Sequence, residues 1–121
     1  MRFLILACAL LLAACNPTLN WREVRAEPTT LSLLLPCKPD RGARTVPFAG
    51  RDTELTMLGC DAGGATFAVA HAEIADPARA PEVVAQWRAA TLANMRGRVT
   101  AEQPLPVAGA GAAVPPLRAT A

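Results

Sequence analysis

Hydrophobic and polar positions fall into three regimes along the chain. Residues 3–14 are apolar throughout, a run of 12 behind Arg2. Residues 29–70 read as short strands broken by turn clusters. The stretch 29–35 is rich in leucine and β-branched residues and runs into Pro36-Cys37-Lys38-Pro39-Asp40-Arg41-Gly42, a dense turn cluster. Residues 44–48 alternate weakly, with Val46 and Phe48 on one side, and Pro47 marks an edge or a strand end. After a turn at 49–52, residues 53–60 alternate better: Leu55 and Met57 face one way, Glu54 and Thr56 the other. Asp61-Ala62-Gly63-Gly64 is the next turn, and Ala65, Phe67 and Val69 then alternate with Thr66, Ala68 and Ala70. Three strands joined by short Gly/Asp turns predict an antiparallel meander.

The third regime has a helical period. Asp76-Pro77 and Ala80-Pro81-Glu82 both have the form of a helix start, an N-cap or a proline in the first turn. The spacing predicts a helix over 81–96, with Val84, Trp87, Thr91 and Met95 on one stripe and Val83 and Ala90 beside it. Gly97 suits the C′ position and Arg96 the negative end of the helix dipole. This helix should lay Trp87 across the sheet. Residues 99–102 predict a returning strand and 105–108 a further short one. Residues 109–121, rich in Ala, Pro and Gly, read as a flexible tail. The expected fold class is α+β: an antiparallel β-sheet of about three to five strands packed by one main helix, about 81–96, in a domain over 29–108. No internal repeat appears.

The apolar start changes the picture most. Its 12 residues suit the hydrophobic region of a signal peptide and fall short of the roughly 20 needed to span a bilayer. It closes on Leu12-Ala13-Ala14-Cys15, with Asn16-Pro17 after it. This resembles the lipobox of a bacterial lipoprotein signal peptide. The resemblance implies that a diacylglyceryl group is attached to the Cys15 thiol, that residues 1–14 are removed, and that the new amino terminus is acylated. Cys8 leaves with the peptide. Asn16 is not the aspartate that retains lipoproteins in the inner membrane of enteric bacteria. The resemblance therefore implies the outer membrane, facing the periplasm. Residues 15–28 then form the lipidated tether. An uncut or differently cut secretory peptide is the alternative. Within the tether, Trp21, Arg22 and Arg25 lie within reach of lipid head groups. Packing of Trp21 on the first strand is the preferred reading of that residue.

Removing the first 14 of 121 residues takes Arg2 with them, so the formal net charge falls from +2 to +1. That balance provides no footprint for nucleic acid. The chain has room for one small domain. Phe48, Phe67, Trp21 and Trp87 are the aromatic residues left, so its core is thin. Export sets the redox compartment. Cys37 and Cys60 remain once Cys15 is lipidated, and an exported pair predicts a disulfide, worth roughly 3 kcal/mol by loop closure. A free thiol pair or a metal site is the alternative, although 22 intervening residues and the single His71 match no zinc spacing.

The order of elements carries a second resemblance. An extended run ends in Leu34-Leu35-Pro36-Cys37-Lys38-Pro39, hairpins follow, then Thr66-Phe67-Ala68-Val69-Ala70, a helix and a returning strand. Over 29–108 this is similar to the first half of PsbP/Mog1-like domains, where an FP-x-x-P segment starts the sheet and a helix crosses after a Y/F-x-V strand. That family adds more strands and a final helix, so the resemblance implies a truncated domain with a raw sheet edge for a partner to cover. It implies a binding or assembly role and no shared catalytic residues.

Chemistry on the chain itself is sparse. Cys60 with His71 and Asp61 is the strongest enzyme candidate, a nucleophile with a base and an orienting acid, but oxidation with Cys37 would consume the thiol. Glu54, Asp61, Glu73 and Asp76 are scattered in and beside turns, where acids face water. Residues 59–64 are glycine-rich, lack a P-loop lysine and precede a strand. The expectation is a membrane-anchored envelope lipoprotein without enzymatic activity or cofactor, a structural or protein-interaction module meeting an envelope partner. The alternative is a lipid-tethered carrier holding a small apolar ligand between Trp87 and the sheet.

Overall fold

The structure, a computed structural model, describes residues 17–121. The expected signal peptide, residues 1–14, and the expected lipidation site Cys15 lie outside the described residues. The described residues form seven strands in three antiparallel sheets, with a main helix. In chain order these are β1 (Arg22–Arg25), β2 (Ser32–Leu35), β3 (Asp40–Phe48), β4 (Arg51–Ala62), β5 (Ala65–Ala72), α1 (Ala80–Met95), β6 (Ala101–Pro104) and β7 (Leu117–Thr120). β1 pairs with β2, β3-β4-β5 form the expected meander, and β6 pairs with β7. The α+β class expected from the pattern is the class observed.

The chain divides into two units, the first of residues 17–43 and 56–71, the second of 44–55 and 72–121. In the first unit, the β1–β2 register sets Val24 opposite Leu33 and Arg22 opposite Leu35. Leu35 is buried and Val24 and Leu33 are half-buried, while Glu23, Arg25, Ser32 and Leu34 on the other face are exposed. Alternation along a strand produces this split. β1 falls inside the stretch expected as tether, residues 15–28. Its pattern, Arg-Glu-Val-Arg, has one apolar residue, so pairing with the leucines of β2 decides it rather than its own composition. The core of this unit is Ala26, Leu35, Pro36 and Leu58. Trp21 meets the Phe67 ring of β5 edge-to-face at 6.1 Å and stays half exposed.

In the second unit, β3 and β4 meet at a two-residue turn, Ala49-Gly50, with φ of 50° and 74°. Both residues are left-handed, the form that matches the twist of a hairpin. The expected turn at 49–52 is thus two residues shorter. Ala49 carries a Cβ in a conformation that costs an L-residue roughly 1 kcal/mol or more. The helix holds this tip: the Ala49 N–H donates to Gln86 Oε1 at 2.8 Å and Arg79 Nη2 donates to the Ala49 carbonyl at 2.8 Å. Ala49→Gly is expected to raise stability by about 0.5–1 kcal/mol and Ala49→Val to lower it, read from urea midpoints.

The helix begins as the sequence signals. Asp76 caps a 3₁₀ turn, Pro77–Arg79, its side chain accepting from the Ala78 N–H at 3.0 Å, and α1 follows without a break. It ends one residue earlier than expected. Arg96, at φ 51°, is the left-handed residue, and the Gly97 N–H donates to the Leu92 carbonyl. A Cβ at Gly97 would stand 3.4 Å from the Ala121 side chain, at the edge of ordinary contact. The buried position on α1 is Val83 rather than Val84, which is 40 % exposed. The expected stripe is therefore turned by about one residue. Trp87 does reach the hairpin, stacking on Phe48 at 5.3 Å.

The C-terminal end corrects two expectations. Residues 105–108 form no strand, and residues 117–120 of the expected tail form β7. β7 pairs with β6 through Glu102 opposite Ala119 and Gln103 opposite Arg118. Leu105 N–H to the Pro116 carbonyl and Thr100 N–H to the Thr120 carbonyl extend the ladder at both ends.

Candidate apolar groove on the helix

The helix presents two different faces within the second unit. Val83, Gln86 and Trp87 meet the β3–β4 hairpin tip. Val84, Ala85, Arg88, Leu92 and Met95 line the opposite side of α1, where Leu117, Ala119 and Ala121 of the β6–β7 ribbon face them. These ribbon residues recur at every second position, so they share one face while Arg118 and Thr120 turn away. The helix and the ribbon do not close on each other. A cavity of about 450 Å³ lies between Pro81–Leu92 and Val114–Leu117. A second, of about 390 Å³, lies between Trp87–Met95 and Val99, Ala119 and Ala121. Val84, Arg88 and Leu92 line both, so the two form one groove along the helix. Its lining is mainly aliphatic, and Met95 at its end is 62 % exposed.

One ion pair crosses the groove. Arg88 on α1 donates to both carboxylate oxygens of Glu102 on β6. Their side chains are 44 % and 38 % exposed, so water screens the pair and its net contribution is small. Among the described residues, Arg88 is the one ionisable side chain lining either cavity.

The disulfide expected from export is present: Cys37 and Cys60 are bonded, with Cα atoms 6.0 Å apart. Its formation removes the Cys60 thiol from the proposed nucleophile. The other two members do not assemble around it either. Asp61 accepts from the Thr66 hydroxyl at 2.6 Å. His71 Nε2 is buried and has no hydrogen-bond partner among the described residues.

The turn acids, in contrast, are closer together than their spacing suggested. Asp52, Glu54, Glu73 and Asp76 border a cleft of about 220 Å³ with Arg51 and Arg79. Asp76 is spent on its cap and Arg79 on Ala49 and Glu82, at 3.2 Å. Among the described residues no cluster of His, Cys, Asp or Glu is arranged to hold a metal ion.

Trp87, expected to wall a pocket against the sheet, stacks on Phe48 and also lines the second cavity, which opens toward the β6–β7 ribbon. The signal available for this groove was the Leu117/Ala119/Ala121 alternation, hidden behind Pro115-Pro116. No protein-family model, curated protein or solved structure matches the chain. Among the described residues no helix is long and apolar enough to cross a membrane.

Proposed function

We propose that this chain is a bacterial envelope lipoprotein, anchored through Cys15 on the outer membrane and facing the periplasm, that works by non-covalent binding rather than catalysis. The groove between α1 and the β6–β7 ribbon supports the binding reading most directly. Large side chains lining it stay exposed, among them Val84, Met95 and Leu117. Burying apolar surface there contributes about 25 cal/mol per Å². A protein partner could present an apolar segment to it. The groove equally favours the carrier reading, because volumes of this size accommodate small ligands. The lipobox motif supports anchoring, since two or more acyl chains hold a protein firmly on a bilayer.

A neutral apolar dye, N-phenyl-1-naphthylamine, tests the groove. The intact chain is expected to enhance its emission saturably, and Leu92→Asp, with a charge placed on the wall common to both cavities, to abolish that enhancement while leaving the circular dichroism spectrum unchanged. Equal enhancement by the two proteins would sink the binding reading.

A further inference from the structure

We propose that the groove takes a single-chain anionic amphiphile, an alkyl carboxylate, with its tail along α1 and its head on Arg88. The inference rests on the binding reading of the groove and adds the ligand class. Three observations carry it. The groove is long and apolar: from Arg88 it runs about 10 Å along the helical rise to Met95, whose exposed side chain lies beside the end of a longer tail. The ribbon side opposite presents Leu117, Ala119 and Ala121, and the polar side chain that reaches the groove from it is Glu102, which stands opposite Ala119. Arg88 lies where the two cavities meet, and its guanidinium is a fork that fits a carboxylate. The Glu102 carboxylate already occupies that fork. Glu102 thus stands in for the ligand head group, and being more than a third exposed it can return to water at little cost. A cationic head would meet Arg88 with the wrong sign, and a neutral one would leave the exchange without a gain.

The exchange makes a prediction that a purely structural ion pair does not. Glu102→Gln removes the internal competitor and keeps the cation. Arg88→Gln removes the cation. Both break the same ion pair, yet their effects on binding should have opposite sign. The test uses the intact chain carrying Cys15→Ser and Trp21→Phe, so that it is unlipidated and Trp87, which lines the second cavity, is the one indole. Dodecanoate, dodecanol and dodecyltrimethylammonium are titrated below their micellar concentrations and followed by Trp87 emission. Dodecanoate is expected to bind saturably and about fivefold or more tighter than dodecanol, with the ammonium weakest. Glu102→Gln should tighten dodecanoate binding several-fold, and Arg88→Gln should reduce it to the level of dodecanol. Equal affinities for the three head groups, no saturable dodecanoate signal, or shifts of the same sign in the two variants would each overturn the proposal. Dye binding lost in Leu92→Asp, with no preference for the carboxylate, would overturn the ligand class and leave the binding reading standing.

Discussion

Removing the Cys37–Cys60 bond, by replacing both cysteines with serine or by adding a reductant, is expected to destabilise the protein by roughly 3 kcal/mol. For a domain of this size that is a fall in melting midpoint of roughly 12–24 °C. The cause is mainly in the unfolded chain. The bond closes a loop between positions 23 apart in sequence, and releasing it returns the entropy of that loop to the denatured ensemble. The folded side has little to offset the loss. The first unit, which contains both cysteines, buries Ala26, Leu35, Pro36 and Leu58, a core of small and medium side chains. Against a total stability of about 5–15 kcal/mol, a loss of this size is a large fraction. Thermal melts of the oxidised chain, the reduced chain and the double-serine variant should show the first well above the other two, which should coincide. A common midpoint for all three would mean that packing alone sets the stability.

Cys15→Ser is expected to abolish acylation and, with it, the attachment of the protein through acyl chains. On the proposed anchoring, attachment depends on a thioether that a serine hydroxyl does not form in this pathway, and the cut before residue 15 depends on that attachment. Each buried methylene of an acyl chain contributes about 0.8 kcal/mol, so losing the chains removes most of the binding free energy. Cells grown with radiolabelled palmitate should show a labelled, membrane-bound wild-type protein. The variant should be unlabelled and should not partition with the acylated form. A variant that still takes up label places the acyl group elsewhere.

Much of the fold was legible, and the failures have identifiable causes. The β3-β4-β5 meander could be read because Leu55, Phe67 and Val69 alternate with polar or small residues and Gly63-Gly64 marks its second turn. The helix could be read because Asp76, Pro77 and Pro81 announce its start. Which face it buries could not, because α1 is apolar on two sides. Val83 and Trp87 serve the hairpin, and Val84, Leu92 and Met95 line the groove. A helix with two apolar faces has no single stripe to find. β1 and β7 were lost for a related reason. Arg-Glu-Val-Arg and Leu-Arg-Ala-Thr have weak strand preference of their own and depend on pairing with the neighbouring strand. The groove followed β7 out of view. The disulfide was legible from a cysteine count taken with the expectation of export, whereas the gathering of Asp52, Glu54, Glu73 and Asp76 at one cleft needs the tertiary structure.

The amino terminus of the mature protein decides the central claim. The protein is purified from bacterial envelopes in detergent, digested, and its first peptide weighed. The account predicts a peptide beginning at Cys15, heavier than its sequence by a diacylglyceryl group on sulfur and a fatty acyl group on the α-amine. A peptide beginning at Met1, or at any residue other than 15, or at an unmodified Cys15, would contradict it.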